Sequence, residues 1–143
     1  MIRFIVSGHG QFASGVVSAA SLIAGEADAF AVVDFPEGSS NTQLGADLKA
    51  ALDTAGDEPV IIFTDILGGM PFRESALLAG NRPHTEVVCG TNVQILVEAV
   101  LERSEDDTPA DLLARILPGA REGLNLLSAI QPKSRQPDAE DGI

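Results

Sequence analysis

The chain has no tryptophan, no tyrosine and one cysteine, and its aromatic content is only 4%. Side chains that stack on nucleobases or sugar rings are nearly missing. Basic residues are scarce as well. Nine Lys and Arg stand against 21 Asp and Glu, a formal net charge of −12. A surface of that sign repels phosphate backbones and anionic lipid, so nucleic acid is excluded as a partner and a basic protein is favoured. The lone Cys89 forms no internal disulfide, and no CxxC or Cys/His zinc spacing exists. No metal and no cofactor is expected. No apolar run nears the ~20 residues of a membrane span. The stretch Ile2-Arg3-Phe4-Ile5-Val6 is too short for a signal peptide and soon meets glycine. The expectation is a soluble, cytoplasmic protein.

What is present suits one ordinary domain. The 143 residues are 45% hydrophobic, enough for a full core. Ile2 to Val6 is apolar and β-branched and reads as a buried strand. Phe12 to Ala24 reads as a helix stopped by Gly25. Ala29 to Phe35 is a second strand, followed by the loop Pro36 to Ser40. Ser40 and Gln43 have capping-box spacing and open a helix to about Ala55. Pro59 to Thr64 is a third strand. Pro71 fits the first turn of a helix ending near Gly80. Glu86 to Cys89 is a short fourth strand, and Thr91 with Gln94 caps a helix through about Arg103. Thr108 to Asp111 opens a last helical region, which Pro118-Gly119 is expected to kink or break. Leu124 to Ile130 suits either a helix or a fifth, antiparallel edge strand. The sequence divides into a domain over 1–130 and a polar tail over 131–143 that reads as disordered.

Strands alternating with helices imply an α/β, doubly wound, mainly parallel four-stranded sheet with helices on both faces. In the order 2-1-3-4, strands 1 and 3 are neighbours. Their following loops diverge to opposite faces, and ligands bind in the crevice between them. The loop after strand 1 is Ser7-Gly8-His9-Gly10-Gln11-Phe12-Ala13. The loop after strand 3 is Thr64-Asp65-Ile66-Leu67-Gly68-Gly69-Met70-Pro71-Phe72. The topology therefore sets His9 beside Asp65 at the carboxyl edge of the sheet.

A neutral imidazole has a nucleophilic nitrogen at physiological pH. A carboxylate bonded to one ring nitrogen fixes the tautomer and turns the other nitrogen's lone pair outward. Gly8 and Gly10 remove bulk around His9, so a large donor can approach. Gly68 and Gly69 open a helix whose backbone N–H groups suit a phosphoryl group. Together these parts describe a phosphorylatable histidine. In isolation each has a plainer role: a hydrogen-bonded turn histidine, an Asp65 capping the Gly68 or Gly69 N–H, and glycines serving the turn. His84 reads as a surface residue and Cys89 as a small apolar group in packing. The turn Gly90-Thr91-Asn92 lies at the same sheet edge, where helix capping explains it. Phe12, Leu67, Met70 and Phe72 form a candidate apolar rim for docking proteins, although Phe12 and Phe72 are better explained as core.

The ordered landmarks are Gly8-His9-Gly10 with Phe12-Ala13, Asp34-Phe35-Pro36, Asp65 with Leu67-Gly68-Gly69 and Pro71-Phe72, and Gly90-Thr91-Asn92 with Leu96-Val97-Glu98. With these the chain resembles the enzyme IIA domains of the mannose family of the bacterial phosphoenolpyruvate-dependent sugar phosphotransferase system. Ser14-Gly15, Glu37 with Ser39-Ser40, Arg73, Val93-Gln94 and the ending Glu140-Asp141-Gly142-Ile143 bring it nearest the N-acetylgalactosamine/galactosamine-specific members. The resemblance implies that His9 accepts phosphate from the phosphocarrier HPr, through Nε2, and passes it to a histidine of a IIB subunit. Membrane subunits IIC and IID then phosphorylate the sugar during uptake. It implies that Asp65 orients the ring through Nδ1, that Gly10, Gly68, Gly69 and Met70 border the phosphoryl group, and that the protein is a homodimer able to exchange a C-terminal strand near Leu126 to Ile130. Family members commonly carry Ser or Thr where this chain has Met70, so one hydroxyl donor is lost. A regulatory phosphoacceptor outside any transporter, a receiver-like module phosphorylated on Asp65 and a flavodoxin-type ligand-binding module remain rival readings.

Overall fold

This computed structural model describes residues 1–131. Along that stretch run β1 (Arg3–His9), α1 (Phe12–Ala24), β2 (Phe30–Phe35), α2 (Asn41–Thr54), β3 (Val60–Thr64), α3 (Met70–Ala79), β4 (Thr85–Val88), α4 (Val93–Glu102), α5 (Pro109–Arg121) and α6 (Leu127–Ile130). The strands form one sheet in the order β2-β1-β3-β4, and every pairing is parallel. Strand order, parallel pairing and the alternation of helices agree with the reading of the sequence.

Burial on both faces explains why the central strands are apolar without alternation. Ile2, Phe4, Val6, Ile61 and Phe63 face α1, α4 and α5. Ile5, Val60 and Ile62 face α2 and α3, where Leu44, Leu48 and Leu52 pack against them. All five residues of β3 are buried. Helices α1 and α3 thus leave neighbouring strands toward opposite faces, and the crevice between their starts lies at the ends of β1 and β3.

Several local expectations change. β1 runs on to His9, so the imidazole sits on the last residue of a strand and not in the loop behind it. The N-cap of α4 is Asn92, whose Oδ1 accepts the Ile95 N–H at 3.0 Å, not Thr91. At α2 the Ser40 hydroxyl accepts the Gln43 N–H as expected, but the Gln43 side chain reaches forward to Asp47. Only half of the capping box forms.

Pro118 does not break α5. A proline inside a helix removes one N–H and crowds the carbonyl four residues back, here that of Ala114. The loss falls in the final turn. Buried Leu112, Leu113, Ile116 and Ala120 hold the helix to the core, and α4 secures its end: Gln94 donates to Gly119 O at 2.9 Å and Asn92 to Ala120 O at 2.8 Å. Gly119 allows this approach, because a Cβ there would lie 2.8 Å from Glu98 Oε1.

Leu124 to Ile130 forms no edge strand among the described residues. It ends in the four-residue α6, and Leu124, Leu126, Leu127 and Ile130 are all exposed. Cys89 is exposed, contrary to the packing role expected for it, because β4 stops at Val88 and Cys89 opens the turn beyond. His84 is exposed, as expected, and takes a left-handed φ of 55°. The expected tail lies outside the described residues apart from Gln131. No helix of the described residues is long and apolar enough to cross a membrane.

Candidate functional site

The site is built where β1 and β3 end. The backbone N–H of His9 donates to Asp65 Oδ2 at 2.7 Å, and His9 Nδ1 lies 2.7 Å from the same oxygen. A carboxylate only accepts, so Nδ1 carries the proton and Nε2 the lone pair. Burial pushes the Asp65 carboxyl up. Hydrogen bonds from the His9 N–H, the His9 ring and the Ile66 N–H, with the charge of the ring, outweigh it and hold the group below its ordinary range. Asp65 therefore stays ionised at neutral pH. Its side chain is 14% exposed, whereas that of His9 is 49% exposed. The acid is tucked in and the base faces out.

Asp65 does not take the plainer capping role. The Gly69 N–H goes to Ile66 O at 3.2 Å, and Asp65 Oδ2 is taken by His9. Two bonds to β4's following turn steady it from behind. The Gly90 N–H bonds Asp65 O, and the Thr91 N–H bonds Thr64 O. The Gly90-Thr91-Asn92 turn therefore holds the backbone that carries Asp65 as well as capping α4.

The glycines serve different ends. Gly10 and Gly68 have φ of 56° and 80°, with open space where a Cβ would go, so glycine is needed there for conformation. Gly8 and Gly69 are needed for room. A Cβ on Gly8 would lie 2.5 Å from Phe12, and one on Gly69 would lie 2.6 Å from His9 Cε1. The imidazole thus packs directly over the Gly69 backbone at the start of α3. Four N–H groups at a helix start lack intrahelical acceptors. Pro71 brings none and the Gly69 N–H is already bonded, so Met70 and Phe72 supply the remaining donors of this helix start.

Of the expected rim, Leu67 is exposed, while Phe12, Met70 and Phe72 are half-buried. Phe12 packs on the α1 side core and Met70 on the α2 side core. Ile66, exposed next to Leu67, belongs to the rim and was missed. Phe35 was missed too. Its ring meets the His9 ring edge-on with centroids 5.8 Å apart. The motif Asp34-Phe35-Pro36 stood out in the sequence as a landmark. Only the parallel register, which pairs Gly8 with Asp34 and His9 with Phe35, shows that it flanks the imidazole.

Comparison with known proteins bears on this geometry. Residues 3–117 match the model of the EIIA-man family, described as the fructose IIA component of the PTS system. The chain is 32% identical over 114 residues to the fructose-specific EIIA component of Bacillus subtilis, covering 79% of this chain and 77% of that protein. It is 30% identical over 132 residues to the mannose-specific EIIAB component of Escherichia coli, which is 90% of this chain but only 40% of the relative. The chain therefore spans less than half the length of that two-part protein. Among solved structures, EIIA from Streptococcus agalactiae superposes with a TM-score of 0.82 at 30% identity, covering 90% of this chain and 99% of the other. The mannose/sorbose-specific IIA subunit from Enterococcus faecalis gives 0.80 at 25% identity, covering 87% and 92%. The chain belongs to the mannose-type family of enzyme IIA components of the sugar phosphotransferase system.

Proposed function

We propose that the protein is a phosphocarrier in which His9 holds the phosphoryl group. One observation carries the reading: Asp65 bonds Nδ1 at 2.7 Å and so leaves the Nε2 lone pair on a half-exposed ring. Nε2 attacks the phosphorus of a donor phosphohistidine. The new N–P bond forms as the donor's N–P bond breaks, and the donor imidazole leaves with the bonding pair. The His9 ring becomes an N-phosphorylated imidazolium that keeps its Nδ1 proton. The positive charge that develops on the ring faces Asp65, which stabilises it without moving. Positioning and charge compensation supply most of the catalysis, as in phosphoryl transfer generally. The same steps in reverse deliver the group to an acceptor histidine.

The donor in this reading is HPr and the acceptor a IIB subunit, which feeds the IIC and IID membrane subunits. Gly10, Gly68, Gly69 and Met70 border the transferred group, and Ile66 and Leu67 present the docking rim. The sugar is an amino sugar such as N-acetylgalactosamine or galactosamine. That assignment rests on the sequence stretches around Gly8, Asp34, Arg73 and Gly90, whereas the relatives compared above are named for mannose, fructose and sorbose. The protein acts in the cytoplasm as a homodimer. Support for the dimer comes from the exposed leucines Leu124, Leu126 and Leu127 beyond α5, because apolar side chains left in water mark interaction surfaces when they cluster.

Radiolabel from phosphorylated HPr enters the wild-type protein in an alkali-stable form and does not enter His9→Ala. Label in that variant overturns the reading, and an alkali-labile bond would point to an acyl phosphate on Asp65. Loss of growth on galactosamine, but not on mannose, after deletion of the gene checks the sugar. Sedimentation checks the dimer, which Leu127→Asp is expected to weaken.

A further inference from the structure

The helix that follows His9 has no cap of its own. Gln11 stands at the N-cap position of α1 and makes no side-chain capping bond. A first-turn N–H left without an acceptor is costly when shielded from water. The acceptor comes instead from the neighbouring strand: Asp34 Oδ1, at the end of β2, takes the Ser14 N–H at 3.0 Å. One residue further along β2, Phe35 O takes the Gly10 N–H at 2.8 Å, and the Phe35 ring lies edge-on to the imidazole at 5.8 Å. The reversal from β1 into α1 is thus tied to β2 at two points just beyond His9, at Gly10 and at Ser14. Asp65 grips the same histidine from β3, on the other side of β1.

We propose that Asp34 and Phe35 are positioning residues for His9, the β2 half of a clamp whose β3 half is Asp65. Asp34 fixes where α1 begins and with it the path of Gly10 and Gln11. Phe35 meets the imidazole edge-on and Gly69 packs against it, so the ring keeps the orientation in which Nδ1 meets Asp65 and Nε2 faces solvent. Asp34 acts through the hydrogen bond of its side chain and the place of its oxygen, not through its charge. This inference rests on His9 being the phosphoryl acceptor, but its spectroscopic arm does not.

Four full-length variants test it. Asp34→Asn keeps an oxygen that can accept from Ser14 and loses the charge. Asp34→Glu keeps the charge and moves the oxygen outward by one methylene. Phe35→Leu keeps apolar bulk against the ring, and Phe35→Ala removes it. In phosphoryl uptake from phosphorylated HPr, Asp34→Asn and Phe35→Leu are expected within about threefold of wild type. Asp34→Glu and Phe35→Ala are expected to lose at least tenfold in maximal rate, with the half-saturating HPr concentration unchanged within twofold. In the unphosphorylated protein, ring nitrogen shifts of His9 are expected to report one tautomer in wild type and Asp34→Asn, and a mixture in Asp34→Glu and Phe35→Ala. The proposal is overturned if Asp34→Glu matches wild type in both readouts, or if Asp34→Asn falls as far as Asp34→Glu. It is also overturned if the variants change only the melting temperature, which is all that a purely structural tie would move. If the wild-type protein takes no label from HPr, the phosphocarrier reading fails, while the tautomer comparison still decides the role of Asp34 and Phe35.

Discussion

The two hydrogen bonds from His9 to Asp65 end on one atom. The backbone N–H and Nδ1 both lie 2.7 Å from Oδ2. One carboxylate oxygen therefore sets the end of β1 and the rotation of the imidazole at once. An error in placing either strand would reach the ring, and a correct placement leaves it little freedom. The tautomer is a consequence of the fold.

Removal of that oxygen should cost transfer more than folding. Asp65→Ala loses a charge-assisted bond of roughly 1.5–3 kcal/mol, so phosphoryl uptake from HPr is expected to fall about ten- to hundredfold. Asp65→Asn keeps the shape but offers an amide that can also donate, and it should show a mixed His9 tautomer with an intermediate rate. Rapid-quench measurement of label uptake checks both. Wild-type rates in Asp65→Ala would remove Asp65 from the mechanism.

Gly68 and Gly69 make a matched pair of opposite kind. Gly69 has φ −71° and ψ 168°, a conformation open to any residue, but its Cβ would strike His9 Cε1 at 2.6 Å and Ile66 Cγ2 at 3.1 Å. Gly68 has free space and φ 80°. Gly69→Ala is therefore expected to push the imidazole aside and lower transfer at least tenfold with little change in thermal stability. Gly68→Ala should cost about 1–2 kcal/mol of stability with the ring left in place. Thermal melts beside transfer assays separate the two. The reverse pattern would contradict the geometry.

This contrast shows where the sequence was legible. Strand order and the meeting of His9 with Asp65 followed from β/α alternation, because a parallel doubly wound sheet leaves few topologies. The two glycines read alike in sequence because composition marks a turn without saying whether conformation or space demands it. Asp34 and Phe35 were visible as a motif, but their role depends on register, which sequence spacing does not give. Pro118 stays within a continuous α5 because tertiary contacts, which local propensity does not carry, hold that end of the helix. The carbonyl bonds from Asn92 and Gln94 that steady its helix cross between helices. Cys89 turned outward because β4 ended one residue earlier than its apolar run implied.

Acid should uncouple two carboxylates that the fold holds ionised below their ordinary range. Arg115, bonded to Asp107 at 2.6 and 2.9 Å, and then the Ser104 N–H hold the Asp107 carboxyl down to about 2. Asp65 is also held below its ordinary value near 3.8. A carboxyl whose folded pKa is depressed contributes stability that is whole above its unfolded value and fades as pH falls through the folded one. Both contributions are therefore expected to be intact above about pH 4, with the Asp107 tie lost only near pH 2. A carbon-detected titration of the two side chains checks this. An Asp107 midpoint at 3.8 or above would show that the Arg115 pair does not hold in solution.

Met70 stands where the resemblance drawn from the sequence implies a Ser or Thr. It is the first residue of α3, next in sequence to Gly69 on which the ring packs, and its side chain packs against the α2 side core. A thioether does not donate a hydrogen bond, so backbone N–H groups alone would steady the phosphoryl oxygens at this point. Met70→Ser supplies a hydroxyl worth about 1 kcal/mol as one neutral hydrogen bond, and it gives up apolar contact. Two opposed shifts are expected: phosphoryl uptake from HPr roughly fivefold faster, and a lower melting temperature. Met70→Ala separates them, since it loses the contact without gaining a donor and should melt early with no gain in rate. If Ser and Ala behave alike in transfer, the phosphoryl group does not reach the start of α3, and the placement of the reaction over Gly69 must be abandoned.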